Sequence, residues 1–197
     1  MLKVGLTGGL AAGKSTVARI LKELGAEVFD ADAIVRDLYV PGGQGEAAAR
    51  DLFGSAVLDV DGRVDRAKIA EIVFRDPARR HALEARIHPL VRAERAGRFA
   101  EAERRGARVA VAEASQILES NTTEDYDRVL LVVAPESERL RRWEERGGDP
   151  EDARRRMSAQ IRPAEAVDQA QDVLVNDGSE AELRHKIAAL YHRWTAG

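Results

Sequence analysis

Gly8-Gly9-Leu10-Ala11-Ala12-Gly13-Lys14-Ser15-Thr16 fits the template G-x-x-x-x-G-K-[ST], with Gly8 and Gly13 as the anchoring glycines. Immediately before it, residues 2–7 read as a short buried strand, and immediately after it residues 16–24 place apolar side chains at helical spacing. The order strand, loop, helix gives the pattern a physical meaning. Glycines allow a tight turn in which successive backbone N–H groups face one concavity, and the N-terminus of the following helix adds a field that favours anions. The backbone from Gly9 through Ala11, Ala12 and Gly13 to Thr16 would cradle phosphates, and the Lys14 ammonium would reach the β- and γ-phosphates. The Ser15 hydroxyl would complete the shell of a Mg²⁺ ion. A glycine-rich turn that only caps a helix is the bland alternative, and it leaves the succession of strand, loop, Gly-Lys-Ser and helix unexplained.

The chain around this loop has 197 residues, 44% hydrophobic and 33% charged, which suits one sizeable soluble domain or a core with an inserted subdomain. A net charge of −3 supplies no global basic field for nucleic acid. No apolar run approaches the roughly 20 residues needed to span a bilayer, so no membrane partner is expected. The first residues enter a strand without the basic and apolar regions of a signal peptide, which predicts a cytoplasmic protein. With no cysteine and four scattered histidines (His81, His88, His185 and His192), any metal should arrive with a nucleotide. The sequence is compatible with a monomer and leaves the oligomeric state open.

Outward from the loop, residues 26–29 form a second short strand that ends at Asp30-Ala31-Asp32. Ligands of open α/β sheets sit beyond the carboxyl ends of strands, so this acidic pair falls at the same edge as the phosphate loop. One carboxylate could serve as a general base toward a phosphoryl acceptor; alternatively, Asp30 or Asp32 caps a helix starting near Ala33. From residue 34 to about 105 no strand pattern returns. Helical stretches at 46–53, 66–74 and 77–104, punctuated by Pro41-Gly42-Gly43 and Asp59-Val60-Asp61-Gly62, read as an insertion over the sheet. It could build an acceptor pocket or simply cover the sheet edge. Within the last stretch, Pro89 predicts a kink or a junction between two helices, which would aim His88 and Arg92 away from a regular helical face. His88 can equally be a satisfied structural histidine.

Residues 108–112 are a third strand, ending at Glu113, which could approach Mg²⁺ through water or be an exposed strand-end carboxylate. Residues 128–133 form a fourth, apolar enough to be covered on both faces, and a polar loop with a short helix lies between the two. Helices at 135–146 and 150–160, joined at Gly147-Gly148, carry Arg139, Arg141, Arg142, Arg146, Arg154, Arg155 and Arg156, with Arg162 just beyond. Such a hairpin is what a mobile lid over phosphates needs, with one or two arginines in catalysis and the rest on a solvated face paired with acids. A fifth strand at 172–175 and an amphipathic helix at 180–194 close the chain.

Taken in this order, the motifs resemble those of the dephospho-coenzyme A kinase family. They are Leu6-Thr7-Gly8-Gly9 running into Gly13-Lys14-Ser15-Thr16, then Asp30-Ala31-Asp32, His88-Pro89-Leu90-Val91-Arg92, the Arg142/Arg146 spacing, Ala159-Gln160 and the strand ending at Asn176. The resemblance spans nearly the whole chain. It implies an α/β P-loop NTPase three-layer fold with a five-stranded, mainly parallel sheet. Residues 1–33, 106–135 and 171–197 would form the nucleotide-binding core, 34–105 a helical CoA-binding insertion and 136–170 the lid. The implied activity is transfer of the ATP γ-phosphate to the ribose 3′-hydroxyl of dephospho-CoA, with ATP and Mg²⁺ required. By the same resemblance, Asp32 is the base and Lys14, Arg142 and Arg146 complete the catalytic set. Asn176 joins the ATP contacts, and His88 and Arg92 join Asp32 at the acceptor. Where the family carries Asp-x-Pro-Leu-Leu-Phe-Glu, this chain has Glu113-Ala114-Ser115-Gln116-Ile117-Leu118-Glu119, which keeps the acidic ends and alters the acceptor side. Two other readings of the loop are a kinase of another small molecule or nucleoside monophosphate, and a nucleotide-dependent regulatory switch. No Asn-Lys-x-Asp segment for reading guanine accompanies it, and the acidic pair and lid exceed what a switch requires.

Overall fold

Apolar strand runs alternating with amphipathic helices build a parallel sheet with helical cover. The computed structural model describes residues 1–120 and 122–196. In chain order the elements are β1 (Leu2–Gly8), α1 (Lys14–Glu23), β2 (Glu27–Asp30), α2 (Ala31–Leu38), α3 (Gln44–Phe53), α4 (Arg66–Arg75) and α5 (Pro77–Arg104). There follow β3 (Val109–Glu113), β4 (Arg128–Val133), α6 (Glu136–Glu144), α7 (Pro150–Ser158), α8 (Pro163–Gln169), β5 (Asp172–Val175) and α9 (Glu180–Thr195). The strand order is β2-β3-β1-β4-β5, and every pairing is parallel where only a mainly parallel sheet was expected.

Alternation along the strands sends Val4, Leu6, Leu130 and Val132 into one core with Val17, Ile20 and Leu21 of α1 and Leu183, Ile187 and Leu190 of α9. The opposite face is closed near Ile117 and Tyr126, and Phe99 from the last turns of α5 meets Phe29 and Tyr126 edge-on with centroids 5.1 and 6.2 Å apart. Cover on both faces is why β4 is apolar without interruption. The chain places β2 and β3 on one side of β1 and β4 and β5 on the other, so the loop after β1 occupies the centre of the carboxyl edge. Register pairs Leu6 with Glu113 and Glu113 with Asp30, so β2 and β3 end level there while β1 runs on to Gly8.

The chain divides into two compact units, Met1–Asp30 with Phe99–Gly197, and Ala31–Arg98. The helical unit therefore differs from the expected 34–105 insertion at both ends: it begins earlier, with α2 at Ala31, and stops earlier, at Arg98, because Phe99 belongs to the sheet's core. The 136–170 segment falls within the sheet unit. In the helical unit, Ala49, Val57, Ile69, Leu83 and Ile87 form a separate small core. The Glu46 carboxylate ties its periphery, accepting from Gly42 N at 2.5 Å and from Arg50 Nη2 at 2.9 Å.

Pro89 neither ends α5 nor divides it into two helices, so the junction alternative is not met; the helix is continuous over 28 residues with Pro89 inside it. Ala85, whose carbonyl loses its helical partner at Pro89, lies with His88, Pro89 and Arg92 on an exposed face, where water can serve it. His88 and Arg92 are one turn apart on that face. Helix α2 starts at Ala31 and not near Ala33, so Asp32 stands inside its first turn. Among the described residues no helix is long and apolar enough to cross a membrane, and no three acidic or histidine side chains cluster as a metal-binding group.

Candidate active site

The phosphate loop is built from the end of β1 and the start of α1. Gly13 stands at the helix N-cap with φ 103°, and Lys14 and Ser15 are its first two helical residues. The turn closes through Ala12 N donating to Gly9 O at 3.1 Å, and Ala11 takes the left-handed region with φ 56°. Lys14 folds back over the loop, its Nζ donating to Gly8 O at 2.7 Å and to Gly9 O at 3.4 Å. An ammonium held across those carbonyls, beside the free end of a helix, is a preformed attractor for a polyphosphate. Thr16 follows, half-buried.

At the mouth of the loop, Ser15 Oγ donates to Glu113 Oε1 at 3.0 Å. Two hard oxygen donors at that spacing fit neighbouring corners of an Mg²⁺ octahedron, whose edge is about 3.0 Å for bonds of about 2.1 Å.

The far side of the loop is closed from the C-terminal third of the chain. Asn176, 6% exposed at the end of β5, anchors its own N–H to Val133 O at 2.8 Å and donates from Nδ2 to Ala12 O at 2.8 Å. Arg142 of α6 reaches the same place, with Nη1 3.4 Å from Ala12 O and Nη2 3.1 Å from Asn176 O. Arg146 lies exposed beyond the last residue of α6. Most other lid arginines serve the surface, as their spacing suggested: Arg141 pairs with Glu138 and Glu145, and Arg155 and Arg156 with Asp152. Exposed pairs of this kind contribute at most about 1 kcal/mol each.

Two lid residues at the loop carried no assigned site role on sequence grounds. Arg139 Nε donates to Leu10 O at 2.8 Å, and Arg139 Nη2 donates to Gln160 Oε1 at 2.8 Å. Leu10 N donates to that same Gln160 oxygen at 3.0 Å. Burial pushes the Arg139 guanidinium below its ordinary pKa, and it remains charged. The three-residue spacing of Arg139 and Arg142 on one helix face was the available signal. Beside this network opens a largely apolar cleft lined by Gly9, Leu118, Val133, Met157 and Ile161.

The structure thus brings Gly9, Ala11, Ala12, Gly13, Lys14, Ser15, Thr16, Glu113, Arg142 and Asn176 around one loop. Asp32 is exposed in the first turn of α2, two residues beyond the strand end that pairs with Glu113. It belongs, with His88 and Arg92, to the helical unit, where a groove lined by Ile34, Leu38, Gln44, Leu90 and Glu94 includes none of the three.

Comparison with known proteins adds an independent line. A family model described as dephospho-CoA kinase matches residues 2–182. A dephospho-CoA kinase of Methylococcus capsulatus is 40% identical over 196 residues, covering 99% of this chain and 98% of that one. Among solved structures, TT1252 from Thermus thermophilus superposes with a TM-score of 0.81 at 35% identity, covering 98% of this chain and 97% of its own. A dephospho-CoA kinase from Campylobacter jejuni shares the fold with a TM-score of 0.71 at 24% identity, covering 99% of this chain and 98% of its own.

Proposed function

The chain belongs to the dephospho-CoA kinase family, and from that premise we propose which of its residues carry the phosphoryl transfer that completes coenzyme A. The reaction moves the γ-phosphoryl group of ATP to the ribose 3′-hydroxyl of dephospho-CoA. A new O–P bond forms at the 3′-oxygen, the bond from the γ-phosphorus to the β,γ-bridging oxygen breaks, and ADP leaves with the electron pair. Little of this is covalent work for the protein; positioning and charge stabilisation carry it.

Backbone amides from Gly9 to Thr16 hold the donor phosphates, and Lys14 exchanges its contacts with Gly8 O and Gly9 O for β- and γ-phosphate oxygens. Ser15 and Glu113 would hold Mg²⁺, which when bound would neutralise charge on the phosphates. Asn176 and Arg142 close the nucleotide's side of the loop, and Arg142 with Arg146 offsets charge on the transferring group. Asp32 accepts the proton of the attacking hydroxyl. Its support is position in the chain, directly after a strand that ends level with Glu113. His88 and Arg92, sharing one exposed face of α5, contact the anionic acceptor.

The observation that carries this reading is the Lys14 ammonium folded over Gly8 and Gly9 with the Ser15–Glu113 pair at the same loop. Its test is steady-state kinetics on Asp32→Asn. Turnover should fall at least a hundredfold, the scale of general-base removal, while ATP affinity stays near wild type; unchanged turnover removes Asp32 from the mechanism. Ser15→Ala should raise the Mg²⁺ concentration needed for half-maximal rate, and an unshifted Mg²⁺ curve removes Ser15 from the metal shell. An acceptor panel with dephospho-CoA and nucleoside monophosphates should show turnover of the first alone.

A further inference from the structure

We infer that Gln160 is a positioning residue for phosphoryl transfer, acting by locking the crest of the phosphate loop to Arg139. The inference rests on the loop being the donor site proposed above. Leu10 is tied at both ends of its backbone by the lid: its N–H donates to Gln160 Oε1 and its C=O accepts from Arg139 Nε. Arg139 Nη2 donates to the same Gln160 oxygen, so the three groups close a ring. Both partners of that oxygen are N–H donors, so the atom they share can only be the amide oxygen, and the orientation of the side chain is determined.

The ring sits where the loop most needs support. The next residue, Ala11, holds φ 56°, a conformation that a residue with a Cβ leaves when nothing keeps it there. Relaxation at Ala11 would turn the neighbouring peptides out of the cradle. Arg139 is held just as closely. A Cβ added to Gly9 would meet Arg139 Nη2 at 2.6 Å, so the guanidinium lies directly over Gly9. From inside the loop, Lys14 Nζ stands at Gly9 O. Two cations therefore flank Gly9, at the end of the loop where Lys14 meets the γ-phosphate, and Gln160 fixes one of them. Gln160 thus sets the shape of the cradle and the place of a charge, through an oxygen that accepts two bonds.

Because only the oxygen is used, chemistry separates this role from packing. Gln160→Leu keeps the bulk and loses the acceptor, whereas Gln160→Glu keeps the acceptor. Affinity for the fluorescent analogue mant-ATP, KM for ATP, kcat and the melting temperature are measured for both variants and wild type. Gln160→Leu should weaken mant-ATP binding and lower kcat/KM for ATP by about tenfold or more, the scale of lost bonds to a charged group, with little change in melting. Gln160→Glu should recover most of that loss. Wild-type affinity and kinetics in Gln160→Leu would overturn the inference, as would equal impairment of the two variants. A fall in kcat that only tracks loss of folded protein, at unchanged mant-ATP affinity, would overturn it too. The mant-ATP measurement needs no acceptor, so it still reads the lock if dephospho-CoA is not turned over, an outcome that counts against the proposed function alone. A wild type that fails to bind mant-ATP would remove the donor site and the lock together.

Discussion

Gly13 meets two demands at once. Its φ of 103° disfavours any side chain, and a Cβ there would stand 2.2 Å from Asn176 Nδ2, the group that holds Ala12 O. Gly147 shares the positive φ, at 80°, with nothing within 4 Å of such a Cβ. Gly147→Ala should therefore cost only the conformational term of about 1 kcal/mol, read by urea unfolding, and leave ATP binding intact. Gly13→Ala should cost about 2 kcal/mol or more and weaken ATP binding severely, because Asn176 has to move; equal behaviour of the two variants would exclude the Asn176 contact. Lys14, Ser15 and the two anchoring glycines, Gly8 and Gly13, were legible in the sequence, since their roles depend on a spacing within eight consecutive residues. The contacts of Arg139 and Gln160 with Leu10 were not, because Gln160 meets Leu10 across 150 residues and nothing local to either residue announces the other.

Elements were legible where one apolar period persists, as in all five strands and in α1 and α9. The departures have local causes. Seven-residue α8, with Pro163 in its first turn, is too short for a period to register against its surroundings. Pro89 argued for a break in α5, but an exposed face and flanking helix formers absorb one missing hydrogen bond. At α3 a pH dependence follows from structure. The Gly42 N–H and then the Arg50 guanidinium hold the Glu46 carboxyl below the usual glutamate range. A carboxylate whose folded pKa is depressed adds stability above its unfolded pKa and loses it as pH falls toward the folded value. Melting curves from about pH 7 to about pH 3 should therefore show Glu46→Gln less stable than wild type at neutral pH, with the difference shrinking through the acid range. A difference that does not change with pH would deny the Glu46 carboxylate this role.

For the whole molecule, the two compact units divide the labour unequally. The phosphate loop, Glu113, Arg139, Arg142, Gln160 and Asn176 all lie in the sheet unit. ATP at about a hundred times its Kd should stabilise the protein by about 2.7 kcal/mol by mass action. Hydrogen exchange should slow first around residues 8–16, 136–160 and 174–176, with less change within residues 44–87; the reverse pattern would place the nucleotide elsewhere. The closing residues also set an order in time. The loop is synthesised well before its supports: the oxygen and amide that brace it come 150 and 164 residues after Leu10 and Ala12. At about 5–20 residues per second, a ribosome exposes an unbraced loop for about 8–30 s before its partners exist. The braced shape of the loop is therefore completed only once translation has passed Asn176.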